Sequence, residues 1–285
     1  MPLATSLTFV KEFTRAHPDP RLSPRTPQAL TDTAGRLDRV HVLAAALALG
    51  ITTYLAVEPT QNWLLLLLSG LAALGTDGIV RNHPRARFER VDDTALYLFV
   101  PVLFTLALGI FLEEVADGYW TVAAGLLSVL PFWAILRAEY ESIDRRSEHF
   151  QLTRLVLNIA TYVSAFLFFA TIYDFELGLF TASLAAGIVS VMLAIEVLRE
   201  EGMDTVRTLF YALAIGVMLG EAAWSTHFLP LDGSAAAVFL LLAFYLMTGL
   251  MHNYLANRLN AKTASEFTVV ALCGVVIIGL SNAYY

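Results

Sequence analysis

Four ionisable side chains interrupt otherwise apolar runs: Asp77, Glu196, Glu221 and His252. Inside hydrocarbon such a group costs about 3 kcal/mol or more unless it is paired or hydrated. Each is therefore a candidate for proton transfer, cation binding or helix-to-helix bonding. Glu221 is the sharpest of them, within Gly220-Glu221-Ala222-Ala223-Trp224-Ser225-Thr226-His227. Ser225 follows it by one helical turn, and His227 is the only nearby residue able to carry positive charge. Buried without a cation, a carboxyl in this position would bind one, relay a proton or donate a hydrogen bond to a neighbouring carbonyl.

The other candidates have more ordinary explanations beside the functional one. His252 shares a helix face with Tyr245 and Thr248, at i, i+3 and i+7. A polar face on a membrane helix must look at protein or water, so this one predicts either a site or bonding between helices. Asp77 precedes Arg81 by four residues and Glu196 precedes Arg199 by three, the spacings of simple ion pairs near a helix end. Arg137, Arg154 and Arg207 stand at helix ends, where they would hold a phosphate headgroup with His252 as acid or base, or simply enforce topology.

Several chemistries lack their residues. There is no His-Glu-x-x-His pair for zinc and no Gly-Lys-Ser/Thr phosphate loop. Asp77-Gly78-Ile79-Val80-Arg81 lacks the alanine and the spaced Gly and Asp that a CDP-alcohol phosphotransferase site would need. Asp92-Asp93 stands alone, as a helix cap would, without the second acidic pair of a prenyl-diphosphate site. His227 and His252 fall at opposite ends of neighbouring spans, so they cannot share a haem. No catalytic residue, metal or cofactor is assigned, and the balance leans away from an enzyme.

What must position these residues is a set of membrane helices. The chain of 285 residues is 57% hydrophobic and 15% charged, with a mean hydropathy of +0.64. A soluble domain carries about a quarter charged residues. Nine apolar segments can be drawn, at about 39–57, 61–80, 95–113, 119–137, 153–173, 177–198, 205–226, 234–256 and 266–284. Residues 1–36 read as a cytoplasmic tail and 37–285 as one transmembrane domain. In the tail, Leu7, Val10 and Phe13 would line a short interfacial helix, and Pro24 and Pro27 would keep the remainder irregular. The expected fold is an all-α polytopic bundle of about nine transmembrane helices.

Charge fixes the orientation. All 18 Lys and Arg fall in the tail, in an even-numbered gap, or within about a turn of one. The odd-numbered gaps hold Glu58, Glu113, Glu114, Asp117, Asp174, Glu176 and Asp232, with no basic residue. By the positive-inside rule the N-terminus is cytoplasmic and the C-terminus outside. The excess of Arg over Lys suggests a GC-rich bacterial genome and hence a bacterial cytoplasmic membrane. There is no basic surplus for nucleic acid, the net charge being −7. The expected partners are the bilayer and a membrane protein or a second copy of the chain.

Smaller features complete the reading. Ala212, Gly216 and Gly220 form a small-residue stripe expected to bring span seven close to a neighbour, span eight being the first choice. Pro101 and Pro131 lie inside spans three and four and would kink them. Cys273, the only cysteine, excludes an intramolecular disulfide and is expected to be a small buried hydrophobe. Thr153-Arg154 and Val206-Arg207 open two hairpins 53 residues apart, a weak parallel repeat. Three function classes remain. The first is a non-catalytic membrane component, a complex subunit or scaffold. The second is a transporter of a small solute or ion using the polar faces of spans seven and eight. The third is a membrane enzyme acting on a lipid or isoprenoid.

Overall fold

The computed structural model describes residues 27–57, 61–84, 92–144, 147–175, 177–199, 205–229, 231–257 and 259–284. The chain divides into two compact units, 1–38 and 39–285. The proposed interfacial helix around Leu7 to Phe13 lies outside the described residues.

All regular structure among the described residues is helical. The helices are α1 (Pro27–Ala56), α2 (Asn62–Arg81), α3 (Asp92–Ala95), α4 (Phe99–Val115), α5 (Tyr119–Leu127), α6 (Val129–Ser142), α7 (Phe150–Asp174), α8 (Leu179–Leu198), α9 (Thr205–Thr226), α10 (Gly233–Leu255) and α11 (Ala261–Tyr284). Seven stretches are long and apolar enough to cross a membrane: 39–56 of α1, α2, α5 with α6, α7, α8, α9 and α10. Helix α4, at 17 residues, and α11 occupy the other two expected spans.

Four local expectations are corrected. Pro27 does not keep the chain irregular; it begins α1, where a missing N–H removes no intrahelical bond. Asp92-Asp93-Thr94 does not cap the third span. It forms the separate turn α3, and α4 begins only at Phe99. Pro101 therefore falls in the first turn of α4, where proline is tolerated, and does not kink it. Pro131 does mark a break: the fourth span divides at Ser128 into α5 and α6, three residues before the proline. Finally, Cys273 is exposed on the outside of α11. In a bundle whose surroundings are lipid, a small apolar side chain has no need of burial.

Two apolar clusters make the core. The first joins α1, α2, α4 and α6 through residues such as Leu47, Ile51, Leu68, Phe104 and Phe132. The second joins α7, α8, α9 and α10 through Phe169, Leu193, Ile215 and Phe244. Helix α4 serves both, with Phe104 in the first and Leu103 in the second. Large apolar side chains also cover the outside, among them Leu66, Leu74, Leu130, Ile159, Phe180, Phe210 and Ile277. Such a surface is unsuited to water and suited to lipid.

Helices α8 and α9 approach each other closely. A Cβ built on Gly216 would stand 2.7 Å from the Gly187 carbonyl oxygen, and one on Gly220 would stand 3.2 Å from that of Ser183. The stripe Ala212-Gly216-Gly220 thus brings α9 against α8, the sixth span, not against the eighth. Facing it, α8 supplies its own small residues, Ser183 and Gly187, which the stripe on α9 alone could not reveal.

Candidate functional site

The most concentrated polar chemistry lies where the C-terminal ends of α6 and α8 meet the N-terminal end of α7. Arg199 Nη2 donates to Glu196 Oε1 at 2.7 Å and to Glu139 Oε2 at 3.3 Å. From α7, Arg154 Nη1 donates to Glu196 Oε1 at 3.2 Å and Nη2 to the Glu196 carbonyl at 3.3 Å. Both carboxylate side chains have 0% exposure, while Arg154 has 6% and Arg199 11%. Two carboxyl groups and two guanidinium groups thus close into a buried quartet. Arg199 also lies over the ring of Tyr97, 4.3 Å from its centroid. Burial works against the charge of Arg199, but Glu196 and Glu139 outweigh it and raise its pKa above the ordinary arginine range. Within the quartet, Glu139 Oε1, Glu196 Oε2 and Arg199 Nη1 have no hydrogen-bond partner among the described residues.

This arrangement corrects the reading of Glu196 as a simple i, i+3 pair reaching interfacial water. The pair exists, but Glu196 is wholly buried and Arg199 only 11% exposed, with Arg154 of α7 and Glu139 of α6 against them. Arg154, a candidate for headgroup binding, is consumed in the same cluster. Arg137 pairs instead with Glu141 at 2.8 Å and lies over Trp133, and Arg207 is exposed. The three arginines therefore have three different environments. Arg154 and Arg207, the proposed repeat positions, are buried in one case and exposed in the other. Asp77 accepts from Arg81 Nε at 2.7 Å, as its spacing suggests, and also from Thr94 Oγ1 at 2.6 Å.

Sequence reasoning missed Glu139 altogether. It stands beside Arg137 and Glu141, so it reads as one more charge in a solvated cytoplasmic end. The available signal was position: Glu139, Arg154 and Glu196 lie three, four and two residues from the neighbouring ends of the consecutive helices α6, α7 and α8.

The face of Tyr245, Thr248 and His252 looks into protein. Thr248 is fully buried, donates to the Phe244 carbonyl at 2.6 Å and meets Tyr162 Oη of α7 at 3.1 Å. Tyr245 packs between Tyr162 and Phe267, with ring centroids 5.8 and 5.3 Å away. His252 is half-buried in the last turn of α10.

Glu221 is not buried, contrary to expectation. The buried face of α9 is Ala212, Ile215, Leu219, Ala223 and Thr226. Glu221 lies two residues from both Leu219 and Ala223, about 200° around the helix, and so points out of the bundle. His227 gives it no charge partner; its Nδ1 lies 3.3 Å from the Ala223 carbonyl and its ring beside Tyr173. Glu221 instead borders a cavity of about 460 Å³ between α8 and α9, walled by Phe180, Leu184, Val217 and Trp224 over Ser183 and Gly220.

Among the described residues no group of three or more His, Cys, Asp or Glu side chains is arranged to hold a metal ion. Apolar helices, a lipid-suited surface and charge confined to helix ends define the class: a multi-pass helical membrane protein. Residues 40–281 match the model of a family described as a protein of unknown function, DUF5656, and the chain belongs to that family. No curated protein and no solved structure matches it.

Proposed function

We propose that the chain is a non-catalytic component of a bacterial cytoplasmic membrane, a complex subunit or scaffold, with nine spans, the N-terminus inside and the C-terminus outside. The buried quartet carries this reading. Its charged groups pair with one another and bind α6, α7 and α8 together at one end. Tyr245 and Thr248 of α10 likewise meet Tyr162 of α7. Such a body is built to hold its shape among other membrane components.

The test is purification of the chain from native membranes in a mild detergent, followed by intact mass spectrometry. A stoichiometric partner chain is the expected result. A single chain whose thermal stability rises with one particular small solute or ion overturns the proposal in favour of transport. That second reading draws on Glu139 Oε1 and Glu196 Oε2, which have no partner among the described residues, since buried polar groups left unbonded cost about 1–3 kcal/mol each and invite water or an ion.

A further inference from the structure

The cavity between α8 and α9 opens on the outer, lipid-suited surface of the bundle rather than into its centre. Phe180, Leu184, Val217 and Trp224 are 69, 52, 55 and 42% exposed, so its walls face the surroundings. Its floor is the tight contact of the two helices, where Gly220 meets the Ser183 carbonyl. Both hydroxyls in the lining are already engaged with their own helices: Ser183 Oγ donates to the Leu179 carbonyl and Ser225 Oγ to that of Glu221. The Glu221 carboxylate is thus the one charged group of an apolar groove. It makes no hydrogen bond or ion pair with any described residue.

No described residue sets a cation beside that charge. The described Lys and Arg from residue 39 onward, namely Arg39, Arg81, Arg137, Arg154, Arg199, Arg207 and Lys262, lie toward the opposite set of ends of the membrane-length stretches. A second copy of the chain in the same orientation would set Glu221 against Glu221 and supply no counter-charge. Glu221 lies five residues before the end of α9, about 7 Å along the axis, and one turn inside Trp224. At that depth an apolar molecule with a cationic end would lay its chain along the groove and its charge beside the carboxylate. The volume of about 460 Å³ lies within the range of small-molecule sites, about 300–1,000 Å³.

We propose that the α8–α9 groove binds an amphiphile bearing a primary ammonium group, with Glu221 accepting its N–H donors and the apolar walls holding its chain. Two sources share this chemistry: an ethanolamine phospholipid and a free long-chain amine. The proposal rests on the chain spanning the membrane, which cysteine labelling of its loops tests separately.

The experiment uses the full chain in nanodiscs of mixed composition. Native mass spectrometry counts retained phosphatidylethanolamine against phosphatidylcholine, whose quaternary headgroup has no N–H to donate. A second series adds dodecylamine and follows thermal stability. The wild type should prefer the ammonium species about tenfold, the value of one hydrogen bond to a charged group. Glu221→Gln, a near-isosteric change at an exposed position, should abolish the preference. Val217→Trp, which fills the groove from its exposed wall, should displace both lipids. Preference among phospholipids alone identifies the headgroup; stabilisation by dodecylamine alone identifies a free amine. Equal retention of the two phospholipids together with no response to dodecylamine, or a preference unchanged by Glu221→Gln, overturns the proposal. So does a crosslink from position 221 to a partner protein helix at full occupancy.

Discussion

Glu196 is the side chain whose neutralisation should cost most. It has no exposure and answers two guanidinium groups, so Glu196→Gln removes the carboxylate that Arg154 and Arg199 share. Removing one partner from a buried pair costs about 3–5 kcal/mol. That loss should appear as an early unfolding transition in mixed-micelle denaturation. Glu141→Gln is the matched control. Glu141 also pairs with an arginine, but both partners are partly exposed, and the expected change is below about 1 kcal/mol. Equal effects of the two substitutions would show that burial of the quartet contributes nothing. Thr248→Val removes the contact to Tyr162 while keeping the shape of the side chain. Hydrogen bonds between membrane helices average about 0.6 kcal/mol, so a small loss is expected by the same measurement.

At the scale of elements, the α8–α9 contact depends on the absence of side chains. A methyl group on Gly216 would fall on the Gly187 carbonyl and near the backbone of Val191, neither of which can rotate away. Gly216→Ala should therefore separate the helices and destabilise the protein by about 1–3 kcal/mol, as overpacking does. Gly70, on α2, has open space where its Cβ would be. Gly70→Ala should be neutral or stabilising by up to about 1 kcal/mol, because alanine is the better helix former. Thermal unfolding of the two variants side by side makes the comparison. Two connections show the reverse use of backbone freedom. Gly118, before α5, has φ +59°, and Asn257, after α10, has φ 53°, so the left-handed region is occupied by residue types that tolerate it.

At the scale of the whole molecule, topology is the property to test. In a Cys273→Ser background, Asp117→Cys and Asp232→Cys should react with a charged, membrane-impermeant maleimide added to intact cells. Arg87→Cys and Arg146→Cys should react only after the membrane is opened. Labelling of all four in intact cells would defeat the nine-span arrangement. The helix positions themselves were legible from composition, because a membrane span demands about 20 apolar residues and little else produces such runs. The observed α8, α9 and α10 start and stop within two residues of the segments drawn from sequence. The direction each helix faces was much less legible. In a water-soluble helix the polar face marks the outside, whereas here both the core and the lipid face are apolar, and periodicity carries little information. Hence the sequence suggests a buried Glu221, which lies outside, and singles out nothing at Glu139, which lies fully inside. The amino-acid sequence by itself determined that the chain is all helical, where the spans fall and at which ends the basic residues gather, since those follow from local hydrophobicity and the cost of exposing backbone to lipid. Only the tertiary structure decided that Glu139, Arg154, Glu196 and Arg199 meet, that α9 packs on α8, and that Glu221 stands alone at a groove, because each depends on how helices distant in sequence rotate against one another.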